Sequence, residues 1–248
     1  MSSFVPKTLV LWDVDFTLVN TLGVGVQLYQ LAFAELYGRD LPAEPANASM
    51  AGRTDRAIAL DVLARCGIAD PPGQVARFEA ALSRLAPSLA DVVVERGIAL
   101  PGAAAALAAL AASEPVRQSV LTGNVRAMAE IKLRPFGLTA HLDLDIGAYG
   151  DESEVRADLV GLARDRAFAA YRHDYGGQAT VLVGDTPLDI EAALTAGARA
   201  VGVATGRSPA TDLVAAGAHA VLPDLTDTAE VVTAVLGQPT DRTRDLAD

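Results

Sequence analysis

The stretch Thr8-Leu9-Val10-Leu11-Trp12-Asp13-Val14-Asp15 decides the fold of this chain. An apolar run of this length and composition is typical of a strand that is buried in a parallel sheet. Because side chains alternate with a period of two along a strand, Asp13 and Asp15 are expected to point the same way. Two carboxylates this close repel each other, and burial increases that cost. The pair therefore predicts a site where a cation, or a reaction that uses both groups, offsets the repulsion.

Two further strand candidates run into polar residues of the same kind. Thr180-Val181-Leu182-Val183 is followed by Gly184-Asp185-Thr186-Pro187-Leu188-Asp189, and a strand predicted over 116–121 is followed by Thr122-Gly123-Asn124. In open α/β sheets, ligands bind outside the carboxyl ends of the strands. We therefore expect the three strand ends to meet and to form one site.

The composition narrows the class of protein. The chain has 248 residues, of which 51% are hydrophobic, and this suits one large domain or a domain with an insertion. Its formal net charge of −11 argues against nucleic acid and anionic membranes as partners, because both demand basic patches. One cysteine, Cys66, allows no internal disulfide, and no signal peptide is recognised, so a cytoplasmic location is expected. The sequence gives no prediction of the oligomeric state.

Helical periodicity follows the first strand candidate. Apolar residues recur at intervals of three and four over 25–37, 55–65 and 74–88. We therefore predict an α-helical domain inserted over 20–91, between two parts of a core domain over 1–19 and 92–236.

Predicted helices and strands alternate in the second part of the core. The strands are predicted over 116–121, 142–146, 179–183, 199–203 and 220–222. This alternation implies an α/β fold, with a Rossmann-like parallel sheet that is covered on both faces by helices. The polar tail over 237–248 is predicted to be disordered.

The polar motifs resemble those of the haloacid dehalogenase superfamily of hydrolases. Asp13-Val14-Asp15-Phe16-Thr17 is similar to the first motif of that family, Thr122-Gly123-Asn124 to the second and 184–189 to the fourth. The resemblance extends over most of the chain and points to the branch of phosphoglycolate phosphatases and β-phosphoglucomutases, whose members carry an α-helical cap. Many relatives have glycine where this chain has Phe16.

The carboxylates indicate a metal site. Oxygen ligands with few nitrogen or sulfur partners favour a hard cation, for which Mg²⁺ is the natural choice. The resemblance implies that Asp13, Asp185 and the backbone carbonyl of Asp15 are ligands. Asp189 would lie in the first turn of a predicted helix, where it could hold a metal-bound water or a basic partner. The alternative for Asp189 is stabilisation of that helix N-terminus.

The resemblance also implies catalytic roles. Asp13 would attack phosphorus to form an aspartyl-phosphate, and Asp15 would act first as general acid and then as general base. Thr122 and the residues after it would hold the phosphoryl oxygens at a helix N-terminus. For Asn124, the alternative is a helix N-cap without contact to a ligand. The expected phosphate-binding residues are Thr17, Thr122, Gly123 and Asn124.

Three basic residues are candidates for contacts to an anionic substrate. The family places a Lys or Arg before its fourth motif, and Arg156, at the start of a predicted helix, is the preferred candidate for the cation that binds the phosphoryl group. Lys132, in the helix after Asn124, is the alternative. In the inserted block, Gly52 permits a turn and Thr54 or Asp55 can cap the next helix, so Arg53 would be free to point at a substrate.

The function implied by this resemblance is that of a Mg²⁺-dependent phosphatase for a small phosphorylated metabolite. A 2-haloacid dehalogenase is one alternative, which Asp15 argues against, since such relatives lack a second carboxylate. A phosphomutase is another alternative that the motifs leave open. Outside enzymes, a receiver domain also phosphorylates an Asp near Mg²⁺, but it is about half this length and has no helical insertion.

Overall fold

The computed structural model describes residues 8–42, 50–113 and 115–237. Its strands are β1 (Thr8–Trp12), β2 (Val19–Asn20), β3 (Ile98–Ala99), β4 (Val116–Val120), β5 (Thr180–Gly184), β6 (Arg199–Val203) and β7 (Ala220–Leu222). Five of these strands form a parallel sheet in the order β4-β1-β5-β6-β7. The predicted α/β fold is therefore confirmed. Except for Gly237, the predicted tail lies outside the described residues.

The helices follow the predicted pattern closely. They are α1 (Val24–Tyr37), α2 (Asp55–Arg65), α3 (Pro71–Leu85), α4 (Ala90–Arg96), α5 (Ala103–Ala112), α6 (Arg126–Leu133), α7 (Arg156–Tyr171), α8 (Pro187–Thr195), α9 (Ala210–Ala215) and α10 (Thr228–Leu236). None of them is both long and apolar enough to cross a membrane.

The five-stranded sheet has a hydrophobic core on each face. Along β1, Val10 and Trp12 belong to one core, which also contains side chains of α5, α6 and α10. Leu9 and Leu11 belong to the other core, which contains side chains of α7, α8 and α9. This alternation follows from the two-residue period of a strand. Because β1 pairs in parallel with β4 and with β5, the carboxyl ends of these three strands, each followed by a polar motif, lie at the same end of the sheet.

The helices between β2 and β3 pack around a hydrophobic cluster of their own. This cluster contains buried side chains of α1–α4 together with Val125 and Met128 from the region of α6. The chain leaves the core through β2 and returns through β3, and these two short strands pair antiparallel. Leu100 N also donates to Leu18 O at 2.9 Å, so both ends of the helical segment lie side by side. The division into a core and a cap domain stays a prediction.

Two predicted elements differ from the structure. The strand expected over 142–146 does not form; this part of the chain is irregular and meets β4 through single contacts such as Asp143 N to Gln118 O at 2.9 Å. Asp143 also accepts from the backbone of Asp145 at 3.1 Å, and such local bonds compete with a strand ladder. The helix expected over 74–88 begins earlier, at Pro71, because proline suits the first helical turn.

Candidate active site

Asp13 lies at the centre of the site, directly after β1. Its backbone N–H donates to Val183 O at 2.8 Å, which anchors it between β1 and β5. The side chain is buried and accepts a hydrogen bond at Oδ1 from Arg156 Nη2 at 2.6 Å. The same nitrogen lies 2.6 Å from Oδ1 of Asp189. Arg156, the first residue of α7, therefore joins the first and the last of the predicted motifs.

Three buried carboxylates meet at this point. Asp13, Asp185 and Asp189 each offer an oxygen atom, and these atoms lie within 4.8 Å of one another. Burial and the charge of Asp189 raise the pKa of Asp13 to about 7, although Arg156 opposes this. Burial and the charges of Asp13 and Asp189 raise the pKa of Asp185 to about 9. The cluster is thus short of positive charge, and its oxygen ligands suit a hard divalent cation.

Asp189 has both of the roles considered from the sequence. Its Oδ2 accepts from Thr186 N at 3.0 Å and from Thr186 Oγ1 at 2.6 Å, and Thr186 Oγ1 accepts from Asp189 N, which completes a capping box at the start of α8. Its Oδ1 pairs with Arg156. Asp189 therefore holds a helix end and a basic partner at the same time.

Glycines let the backbone approach the carboxylates closely. A Cβ atom on Gly206 would lie 1.7 Å from Asp185 Oδ2, and one on Gly184 would lie 2.3 Å from Asp189 Cγ. Phe16, where many relatives have glycine, keeps a left-handed backbone with a φ of 58°. Its N–H donates to Val19 O at 2.7 Å, and its carbonyl accepts from Thr205 Oγ1 at 2.5 Å. These two bonds hold a conformation that is strained for phenylalanine.

Asp15 lies beside a different basic residue. Lys132 Nζ donates to Asp15 Oδ1 at 2.7 Å, to Asp15 Oδ2 at 2.6 Å and to Asn124 Oδ1 at 2.8 Å. Asn124 Nδ2 donates to Asp15 Oδ2 at 2.7 Å. The structure thus separates the two basic candidates, since Arg156 pairs with Asp13 and Lys132 pairs with Asp15.

The loop after β4 carries the second motif. Thr122 is buried, and its Oγ1 accepts from Asn124 N at 3.2 Å and from Asn124 Nδ2 at 2.7 Å. Val125 is the N-cap residue of α6, so Asn124 is not the helix cap that its sequence position also allowed. Among the residues predicted for the site, two buried donors have no hydrogen-bond partner in the described part of the chain: Thr17 Oγ1 and Arg156 Nε. Both are available to an added acceptor.

Residues 52–56 of the helical segment lie against this loop. Asp55 N donates to Gly123 O at 2.7 Å, and Val125 N donates to Asp55 Oδ2 at 2.7 Å. Tyr29 from α1 donates to Asp55 Oδ1 at 2.9 Å. Burial raises the pKa of Asp55 to about 6, although the bonds from Val125 and Tyr29 lower it. The sequence indicated Asp55 only as a candidate helix cap, a role that Thr54 takes in the structure, and nothing in its pattern indicated Tyr29 as a partner.

Arg53 pairs through its guanidinium with Asp61 and not with the carboxylates of the site. Its guanidinium lies 3.3 Å from Asp61 Oδ2 and donates to Ala57 O at 3.1 Å, so it lies along α2. Its backbone carbonyl faces Gly123, where a Cβ atom would lie only 2.0 Å away. A contact between Arg53 and a substrate would require the pair with Asp61 to break, and it stays a prediction.

Comparisons with known proteins show the family and the fold of this chain. A family model described as haloacid dehalogenase-like hydrolase matches residues 10–194. A solved hydrolase structure from Pseudomonas syringae has a TM-score of 0.64 and 21% identity, and the alignment covers 90% of this chain and 96% of that one. No curated protein matches the chain.

Two further solved structures are similar over nearly their whole length. One is described as a candidate phosphoglycolate phosphatase from Lactobacillus plantarum, with a TM-score of 0.62, 18% identity and coverage of 92% of this chain and 99% of that one. The other is described as a candidate β-phosphoglucomutase from Bacteroides vulgatus, with a TM-score of 0.63, 15% identity and coverage of 95% and 91%. At these identities the structures share a fold, whereas the family model also spans the motifs from β1 to α8. The chain belongs to the family of haloacid dehalogenase-like hydrolases.

Proposed function

We propose that this hydrolase is a Mg²⁺-dependent phosphatase that cleaves a small phosphorylated metabolite through an aspartyl-phosphate on Asp13. The observation that carries the proposal is the buried cluster of Asp13, Asp185 and Asp189 with Arg156 beside it. Three carboxylates this close favour a bound cation, and their oxygen atoms suit Mg²⁺. Arg156 supplies the fixed positive charge that a phosphoryl group needs.

The residues fit the metal in a definite way. Asp13 and Asp185 would be the carboxylate ligands, and the backbone carbonyl of Asp15 a third. Asp189 has both oxygens engaged, so it would act through Arg156 and through a metal-bound water. When bound, Mg²⁺ would reduce the repulsion between Asp13 and an anionic phosphate.

The proposed reaction has two steps. In the first, a carboxylate oxygen of Asp13 attacks phosphorus, the bond from phosphorus to the leaving oxygen breaks, and Asp15 protonates that oxygen. In the second, Asp15 takes a proton from water and the water oxygen attacks phosphorus. The bond from phosphorus to the Asp13 oxygen breaks, which releases inorganic phosphate and restores Asp13. The unpartnered donors Thr17 Oγ1 and Arg156 Nε, with Thr122 and Asn124, would hold the phosphoryl oxygens.

Two alternatives in the same family differ at identifiable points. A 2-haloacid dehalogenase has no need for a second carboxylate that protonates an alkoxide, and Asp15 disfavours that activity. A phosphomutase shares the first step but passes the phosphoryl group to a sugar hydroxyl and not to water. Residues of the helical segment would then decide which acceptor enters.

Release of inorganic phosphate from p-nitrophenyl phosphate tests the proposal. We expect turnover with Mg²⁺, its loss in excess EDTA, and its recovery when Mg²⁺ is restored. Mg²⁺ should also raise the melting temperature, because it binds the folded state, and Asp185→Ala should remove that increase. Full activity in EDTA would contradict the metal assignment. Isomerisation of a sugar phosphate without phosphate release would favour the mutase.

A further inference from the structure

The ammonium group of Lys132 is a second buried cation of the site, besides Arg156. The side chain is 2% exposed, although it belongs to α6, a helix on the surface of the sheet. Its three short hydrogen bonds go to both oxygens of Asp15 and to Asn124 Oδ1. An ammonium group has three N–H donors, so these bonds account for its full capacity.

This geometry places Lys132 on Asp15 and not on Asp13, the proposed nucleophile. The cation that contacts Asp13 is Arg156, at 2.6 Å. Lys132 instead contacts Asp15, whose side chain remains one-third exposed at 33% while Lys132 lies behind it. A residue whose donors are all occupied by Asp15 and Asn124 is better suited to hold those groups than to bind substrate.

The bonds also fix the orientation of the Asp15 carboxyl group. Lys132 holds both of its oxygens, and Asn124 Nδ2 donates to Oδ2 as well, at 2.7 Å. The terminal torsion of an aspartate is otherwise broad, so an unheld carboxyl group samples many orientations. Charge-assisted bonds from two side chains restrict that motion. A general acid and base must present one oxygen to the leaving group and then to water, so this restriction favours both steps.

We propose that Lys132 is a positioning residue for Asp15, which it orients for proton transfer together with Asn124. The proposal rests on the proposed function, because it assumes that Asp15 transfers the proton. It differs from the role of a phosphate-binding cation, which the sequence alone also allowed for Lys132.

A double-mutant cycle with Lys132→Met and Asp15→Asn tests this inference, with an alkyl phosphate and p-nitrophenyl phosphate as substrates. Asp15→Asn should lower kcat for the alkyl phosphate by roughly 10²–10⁴-fold, the usual range for a general acid–base group. Lys132→Met should cost roughly 10–100-fold, as loss of an orienting partner does. In the Asp15→Asn background, Lys132→Met should cost at most about twofold, because the two residues act as a unit.

The leaving group gives an independent readout. p-Nitrophenolate leaves without protonation. Lys132→Met should therefore lower the rate of the first step much less for p-nitrophenyl phosphate than for the alkyl phosphate. The inhibition constant of inorganic phosphate for Lys132→Met should stay within about twofold of the wild-type value. Arg134→Gln, at an exposed residue directly after α6, is the matched control and should leave all three quantities unchanged. If Lys132→Met does not fold, Lys132→Gln removes the charge on a side chain one atom shorter that still carries N–H donors, and the same contrast between the two esters is expected.

The outcomes separate this inference from the proposed function. Lys132→Met could lower kcat as much in the Asp15→Asn background as in the wild type, and weaken inhibition by phosphate. Lys132 would then be a phosphate-binding residue, and this inference would be overturned while the proposed function would stand. Equal losses on both substrates with a lower melting temperature would assign it a structural role, with the same consequence. A wild-type chain that hydrolyses neither ester would overturn the proposed function and, with it, this inference.

Discussion

Arg156 Nη2 and Asp13 Oδ1 lie 2.6 Å apart and join two residues that are 143 positions apart in the chain. Burial by itself lowers the pKa of Arg156, but the charges of Asp189 and Asp13 raise it, and the net result is a pKa above its ordinary value. The guanidinium therefore stays charged. It also donates to Gly52 O at 3.2 Å, so the same side chain connects the carboxylates with the helical segment.

The first prediction concerns this cation. Arg156→Met should lower kcat/KM by about 10²-fold or more, since it removes a preorganised donor to the phosphoryl group. Arg156→Lys should recover part of the loss, because an ammonium group keeps the charge but cannot contact Asp13, Asp189 and Gly52 together. The measurement is steady-state kinetics with an ester substrate. Wild-type kinetics for Arg156→Met would show that this charge does not act on the substrate.

The second prediction concerns stability and pH. In the folded state the pKa of Asp13 is raised from 3.8 to about 7 and that of Asp185 from 3.8 to about 9. Between the unfolded-state pKa of 3.8 and these raised values, the folded state binds more protons than the unfolded state. The free energy of unfolding should therefore fall as pH rises from about 4 to about 9. The decrease should be visible in EDTA and small in saturating Mg²⁺, because metal binding favours the ionised carboxylates.

Thermal unfolding across that pH range, with and without Mg²⁺, checks this second prediction. Asp185→Asn is the matched variant, because it keeps the size of the side chain and removes the group with the larger shift. Its melting temperature in EDTA should depend less on pH than that of the wild type. A melting temperature of Asp185→Asn that falls more steeply with pH than that of the wild type would argue against a carboxylate cluster that needs a cation. Wild-type melting temperatures that depend equally on pH in EDTA and in Mg²⁺ would argue against it as well.

The third prediction concerns the contact between the helical segment and the second motif. Tyr29→Phe removes the donor to Asp55 and should lower the free energy of unfolding by about 1 kcal/mol, the net value of one buried hydrogen bond. Tyr37→Phe is the control, because the buried Tyr37 hydroxyl has no partner among the described residues. Urea unfolding measures both. Equal changes would mean that the bond from Tyr29 to Asp55 contributes nothing measurable.

The fold could be predicted from the sequence because its signals are local. The apolar runs of β1, β5 and β6 and the helical periodicity of α1 and α2 each specify one element. The strand predicted over 142–146 was wrong: the apolar residues there alternate like those of a strand, but the backbone is irregular. Its backbone pairing depends on the edge of β4, which a local pattern does not contain.

The site could be predicted in part. The carboxyl ends of neighbouring parallel strands lie at the same end of a sheet, so Asp13, Thr122 and Asp185 could be expected together from the sequence alone. The pairing of basic with acidic residues could not, because Lys132 and Asp15 are 117 positions apart and their contact depends on how α6 packs. The same holds for Asp55, whose role follows from the docking of residues 52–56 against Gly123.

Turnover by Asp13→Asn, measured as phosphate release in saturating Mg²⁺ beside the wild type, is the strongest test of Asp13 as the nucleophile. Asparagine has the shape of aspartate but cannot form the aspartyl-phosphate, so we expect a folded variant with no detectable turnover. Labelling by beryllium fluoride, an analogue of the phosphoryl group, should be lost in the same variant. Substantial phosphate release by Asp13→Asn would contradict the account, since another group would then have to be the nucleophile.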